Sequence, residues 1–172
     1  LRLRHAEYFL AVAESANLGS DRLPSEGQRH DIAIAEQDNI RAALAWALES
    51  GSVALGLQLA IAIENFWVTH DPTEAVRWFA ALLDHPGAGA LPPEVRAPAL
   101  RAYGSALYIS GKAEPATRLW EESLALFEQL GDVLGRAVLL TRLGVSALQR
   151  GELDRARELT EASDELYVRS GD

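Results

Sequence analysis

The chain has 172 residues, 48% hydrophobic and 24% charged, which suits a packed helical or mixed core and is too apolar for a disordered segment. Its net charge is −9, with basic residues scattered among acids, whereas a duplex-DNA reader clusters Lys and Arg to displace counterions. There is no cysteine, which excludes disulfides and thiolate metal sites, and no apolar run approaches the ~18 residues of a membrane span.

The apolar spacing is helical nearly throughout. Residues 4–16 put Tyr8, Phe9, Val12 and Ala16 on one stripe. A polar, Gly/Pro-punctuated stretch follows and predicts a loop over 17–29. From about 30 to 50, Ile32, Ala35, Ile40, Ala43, Leu44 and Ala47 supply an apolar face, and Gly51 stands where a left-handed C′ residue ends a helix. Residues 53–69 are apolar almost all round and predict one helix buried between neighbours. Asp71-Pro72-Thr73 reads as a stop and restart, with Pro72 in the first turn of a helix running to Asp84.

Residues 85–93 carry three prolines and two glycines and form the clearest linker signal. They read as an inter-repeat loop, or as a pivot between the halves. The last eighty residues then repeat a forty-residue unit: 93–132 laid over 133–172 brings Gly104 over Gly144, Gly111 over Gly151, Ala116 over Ala156, Leu119 over Leu159 and Phe127 over Tyr167. The closing Gly131-Asp132 falls over Gly171-Asp172. The unit predicts helices at 94–110, 114–130, 134–150 and 154–170, stacked as an array.

The spacing resembles the tetratricopeptide repeat, in which a small residue at the eighth position meets an alanine at the twentieth between large apolar residues. With Ala116 at the twentieth, Leu100, Tyr103, Gly104, Leu107 and Trp120 fall on the other marks. With Ala156 there, Leu140, Leu143, Gly144 and Ala147 follow, while Thr160 departs from the large aromatic. A degenerate copy sets Ala75 at the twentieth with Leu59, Ala62, Ile63, Phe66 and Phe79, and Ile63 in place of the small residue implies wider helix spacing there. The resemblance implies an all-α, right-handed superhelix of about eight antiparallel helices in four pairs. Residues 1–84 would be degenerate repeats, 85–93 a linker, and 94–132 and 133–172 two clear repeats.

A second resemblance lies in Glu36-Gln37-Asp38-Asn39-Ile40-Arg41-Ala42-Ala43-Leu44-Ala45-Trp46-Ala47, with Phe66-Trp67, Glu74 to Phe79 and Glu121 to Phe127 downstream. These segments look like the helical-repeat region of large bacterial signal-transduction ATPases that regulate transcription, of the AfsR and LuxR types. The resemblance implies a regulatory role inside a longer chain, and the lack of any methionine, even at position 1, reads as a piece excised from a longer protein. It implies contacts with protein or peptide, with other domains of the same chain, or with a small-molecule inducer. No Walker motif is present, so no nucleotide site carries over.

No catalytic, metal or cofactor motif stands out. His5, His30, His70 and His85 are dispersed, and Glu121-Glu122, Glu158, Glu161, Asp164 and Glu165 read as solvated faces. Asp38-Asn39 reads as a local cap or kink, with a module contact as the alternative. The repeat register puts Trp67 on an inner, concave side with Glu64, Arg101, Ser105, Tyr108, Thr141 and Gln149. They would form a groove for a peptide or small molecule, unless Trp67 and Tyr108 merely pack between helices. Trp78 and Trp120 read as core, and Trp46 as packing under the first repeat.

The expectation is therefore a non-catalytic, cytoplasmic interaction segment that binds neither nucleic acid nor membrane. Its outer face, with Leu159, Leu166, Tyr167 and Val168, could pair two copies of the chain. A general peptide adaptor, or the regulatory tail of a multidomain signalling enzyme, are the alternatives.

Overall fold

A computed structural model describes the backbone of residues 1–15 and 26–170, and the side chains of 1–15 and 35–170. Residues 17–25 of the expected loop and the Gly171-Asp172 mark lie outside the described residues, as does the side chain of Ile32. Every element among the described residues is helical. In order they are α1 (Arg2–Ser15), α2 (Glu26–Glu49), α3 (Val53–Ala62), α4 (Glu64–His70), α5 (Pro72–Leu83), a short 3-10 helix (Pro86–Ala90), α6 (Pro93–Ile109), α7 (Ala113–Leu130), α8 (Val133–Gln149) and α9 (Leu153–Ser170). They form two compact units, Leu1–Leu91 and Pro92–Asp172.

In the first unit α1 packs on α2 and α3, and α5 packs on α3 and α4. Helix α1 buries Ala6, Phe9 and Ala13, while Tyr8 is exposed. The core stripe is thus turned from the expected one, because small alanines let α1 approach its neighbours. Helix α2 begins at Glu26, so residues 26–29 of the expected loop are helical. Its face of Ile40, Ala43, Leu44 and Ala47 is fully buried, whereas Ala35 is exposed. Gly51 ends it at φ 72°, the left-handed conformation expected there.

The single helix expected over 53–69 is two. Ile63, at φ −115° and ψ 11°, breaks the run, and Glu64 opens α4. The close approach in this unit falls at Gly56 instead of Ile63. A β-carbon at Gly56 would lie 2.7 Å from Leu82 Cδ2 and 3.1 Å from Ala47 Cβ. Asp71 caps α5, its carboxylate accepting from Glu74 N–H at 2.9 Å, with Pro72 at the first position as expected. Residues 85–91 are ordered as part of this unit: the 3-10 helix packs on α3 with Ala88 buried. His85 caps it, its Nδ1 accepting from Gly87 N–H at 3.0 Å.

The second unit is two helix hairpins, α6 with α7 and α8 with α9, joined where α7 packs on α8. Its three turns have one design. Gly111, Gly131 and Gly151 stand twenty residues apart, each at φ between 68° and 77°. In each turn the glycine N–H and the following N–H return to carbonyls of the last helical turn: Gly111 to Tyr108 and Lys112 to Leu107, Gly131 to Glu128 and Asp132 to Phe127, Gly151 to Leu148 and Glu152 to Ala147. That double closure satisfies helix-end carbonyls that would otherwise lack partners. Asp132 also caps α8, accepting from Gly135 N–H at 2.8 Å, so one residue ends one helix and starts the next.

Both hairpins close over a small residue. A β-carbon at Gly104 would overlap the Trp120 indole, 2.6 Å from Cδ1. At Gly144 the facing residue is Thr160, whose hydroxyl would stand at 3.1 Å. A second link recurs at the same register. Ser123 Oγ donates to the Ala97 carbonyl at 2.7 Å, and forty residues on Ser163 Oγ donates to the Ala137 carbonyl at 2.8 Å. Both serines are buried, so each hydroxyl ties a second helix to its first.

Gly56→Val should overpack the meeting of α2, α3 and α5 and cost about 1–3 kcal/mol. Urea unfolding followed by circular dichroism checks this, and an unchanged midpoint would show that the helices move apart freely.

Candidate functional site

The seven expected groove residues do not share one unit. Glu64 and Trp67 belong to the first, while Arg101, Ser105, Tyr108, Thr141 and Gln149 belong to the second. The structure places Trp67 in the core at 1% exposure, with Glu64 at 3%. Of the two readings of Trp67, the open, inner-facing one is corrected and packing between helices holds. Helix α4 restarts after Ile63, so a register counted through from residue 53 no longer says which way residue 67 points. A small cavity beside it is lined by Gln37, Ile40, Ile63, Phe66 and Trp67. Trp78, expected as core, is only half-buried.

The second-unit residues differ among themselves. Ser105 is buried and donates to the Arg101 carbonyl at 3.0 Å. Tyr108 packs its ring on Trp120, centroids 5.2 Å apart, and its buried hydroxyl has no hydrogen-bond partner among the described residues. Trp120 Nε1 donates to the Arg101 carbonyl at 3.2 Å. Thr141 and Gln149 are exposed, although the Thr141 hydroxyl is engaged with Ser163 Oγ at 2.8 Å. Arg142 lies over the same indole, its Cζ 6.0 Å from the ring centroid. Of the expected set, the structure brings Arg101, Ser105 and Tyr108 together along α6, next to Trp120.

The segment from Glu36 to Ala47 has its own electrostatic centre, one that spacing alone did not reveal. Arg41 reaches from α2 to α5 and grips Glu74 with two bonds, Nε to Oε1 at 2.7 Å and Nη2 to Oε2 at 2.5 Å. Trp78 Nε1 adds a third at 3.2 Å. Glu74 is 1% exposed and Arg41 39%. The guanidinium bond, helped by Trp78, holds the Glu74 carboxyl below the ordinary carboxylate range against the opposing effect of burial. Arg41 is correspondingly raised. Asp38, almost fully exposed, adds a longer contact to Arg41 at 3.4 Å. Asn39 Nδ2 donates to Glu36 at 2.8 Å on the exposed side. Asp38 and Asn39 thus lie on the surface of α2, which continues unbroken through them.

Some of the acidic residues are taken up in ion pairs. Glu122 accepts from Arg96 across the first hairpin, at 2.8 and 3.1 Å. Glu158 and Asp154 pair with Arg155 and Arg157 at 3.4 Å each. Arg150 holds Glu152 with two bonds and also donates to Ser146 Oγ, which meets Thr117 Oγ1 at 2.9 Å between α7 and α8. His5 packs on Phe9, and His70 stacks on Phe66. Among the described residues no group of three His, Asp or Glu could hold a metal ion, and no helix is long and apolar enough to cross a membrane.

Three mycobacterial proteins align with this chain at 31% identity over 180 residues, covering 96% of it and 20% of each of them. All three carry the provisional name of HTH-type transcriptional regulator: Rv0890c and MT0914 of Mycobacterium tuberculosis, and Mb0914c of Mycobacterium bovis. The chain spans about a fifth of the length of these relatives. No protein-family model matches it.

Arg41→Ala would leave the Glu74 carboxylate buried against Trp78 with its main partner gone, at an expected cost of about 2–3 kcal/mol given that Arg41 is partly solvated. Because the folded carboxyl is depressed, the pair's contribution is full above the ordinary glutamate value of 4.5 and fades as pH falls through the lower folded value. Urea unfolding at pH 7 and at pH 3 should therefore show the gap between Arg41→Ala and the parent narrowing in acid. A gap independent of pH would deny the ion pair this role.

Proposed function

We propose that this chain is a non-catalytic interaction segment of a cytoplasmic bacterial transcriptional regulator. It would be built as a tetratricopeptide-like right-handed superhelix whose first two pairs have diverged. The observation that carries the reading is the similarity to HTH-type regulators, which runs through 96% of the chain. The hairpins of the second unit support the repeat assignment through their forty-residue recurrence of Gly104 and Gly144, and of Ser123 and Ser163. The net charge of −9 supports a role other than gripping DNA phosphates.

In this reading the segment gates a regulator of the signal-transduction ATPase type. Its helix faces bind another domain of the same chain, a protein or peptide, or a small-molecule inducer. Whichever of the resting and active states offers the better contact is favoured by that difference in affinity. DNA recognition and any nucleotide chemistry would belong to other parts of the regulator.

Two measurements test this. The isolated chain should not retard a promoter duplex at about 10 µM in ~0.15 M salt, where even non-specific binders with micromolar constants would begin to. Deleting the matching region from the Mycobacterium tuberculosis relative should alter the same transcripts as deleting the whole gene, or lock them on. A wild-type transcript profile after that deletion, or a sequence-specific DNA shift by the chain alone, would overturn the proposal.

A further inference from the structure

The segment that closes the first unit is fastened by a titratable side chain. The 3-10 helix Pro86–Ala90 reads Pro-Gly-Ala-Gly-Ala, packs on α3 and buries only Ala88. Its two glycines make it costly to order, and none of its side chains can hydrogen-bond. Backbone bonds run from Ala88 N–H to the His85 carbonyl at 2.8 Å and from Leu91 N–H to the Ala88 carbonyl at 3.2 Å. The side chain that caps the segment is His85, whose Nδ1 accepts from Gly87 N–H at 3.0 Å.

That bond prescribes a protonation state. An amide N–H only donates, so Nδ1 must present a lone pair, and the imidazole is neutral with its proton on Nε2. A second proton would sit on Nδ1 and set one donor against another. Histidine is the side chain whose charge ordinarily changes between about pH 5 and 8. His85 is half-buried, so water can deliver that proton.

The surroundings offer the charged ring no replacement. His85 stands beside Gly51 in the turn between α2 and α3, its Cε1 3.7 Å from where a β-carbon would lie there. Helix α3 carries no titratable residue. Glu49, which ends α2, and Asp84, which follows α5, are the carboxylates of the adjoining chain. Both are exposed, and neither forms an ion pair with the ring. Protonation therefore removes the cap without giving the imidazolium a protein partner.

We propose that His85 is a pH-sensitive latch, whose neutral imidazole fastens residues 86–91 to α3 and whose protonation in mild acid releases them. The segment is held at the upper end of histidine's range and freed as pH falls through it. The released stretch is the last of the first unit, so acid lengthens the free chain ahead of Pro92. The latch does not depend on the regulatory role proposed above.

Amide NMR of the whole chain tests this between about pH 8 and 5.5, above the range in which carboxylates ordinarily titrate. The Gly87 amide proton should shift in step with the His85 ring protons. Protection of Ala88 and Leu91 against hydrogen exchange, corrected for the intrinsic rate at each pH, should fall about fivefold as the ring charges, the scale of one lost cap. His85→Asn puts an amide oxygen where Nδ1 stands and cannot titrate, so its protection should not change with pH. His85→Ala should show the parent's acid-level protection at every pH. His5, His30 and His70 remain in both variants, so a difference from the parent belongs to His85. A Gly87 shift that ignores the ring, protection that stays level as the ring charges, or the same acid loss in His85→Asn would overturn the latch.

Discussion

Among the described residues, helices approach so closely that at three places no β-carbon fits between them. At Gly56 the obstacle is Leu82 with Ala47, at Gly104 the Trp120 indole, and at Gly135 the Phe127 ring. Much else follows from these contacts. Dispersion attraction falls steeply with separation, so a glycine that admits a large neighbour lets that neighbour fill the gap. Trp120 is fully buried because Gly104 leaves room for its edge, and the same seating aims its N–H at the Arg101 carbonyl. In the second unit the approach is fixed at the ends by turns of near-identical geometry. Left-handed glycines every twenty residues return the chain with only two or three residues between helices. Short connections of that kind force antiparallel neighbours.

The second unit was readable because its determinants are discrete residue types. Gly111, Gly131 and Gly151 are recognisable as helix stops, and the Gly104–Ala116 and Gly144–Ala156 spacings as close-packing pairs. The serines escaped notice. Ser123 and Ser163 are polar letters that hydropathy assigns to the surface, yet each is buried because a neighbouring helix offers a carbonyl within reach. Only their recurrence at forty residues could have marked them beforehand.

The first unit was harder for a different reason. In α1 the large residues mark a stripe through Tyr8, yet the side that is buried is marked by Ala6 and Ala13 with Phe9, and alanine counts for little in a periodicity. The largely apolar run from Val53 to Val68 breaks at Ile63, where no Gly or Pro stands and only the polar Glu64-Asn65 pair marks the restart. That break turns Trp67 into the core, while Trp78, on α5, is half-buried because its N–H faces the Glu74 carboxylate beside Arg41. The Arg41–Glu74 pair spans 33 residues and links two helices, so no local spacing could have announced it. It does explain why a charged residue sits within an otherwise small and apolar α2 segment: Arg41 is the partner of a carboxylate that α5 buries.

Two hairpins that share turns and a serine link, but place different residues against their close-packing glycines, make the central claim directly measurable. Urea unfolding of Gly104→Ala and Gly144→Ala, each against the parent, isolates the close approach from everything else the repeats share. In both, alanine offers a helix propensity gain of roughly 1 kcal/mol over glycine. At Gly104 the new methyl group meets an indole seated in the core, so a net loss of about 1–3 kcal/mol is expected. At Gly144 it meets the Thr160 hydroxyl at 3.1 Å, which needs to yield only a few tenths of an ångström while keeping its bond to the Ala156 carbonyl, so stability should hold or rise. Equal effects at the two glycines would mean that helix spacing is set by something other than the residue facing each glycine, contradicting the account.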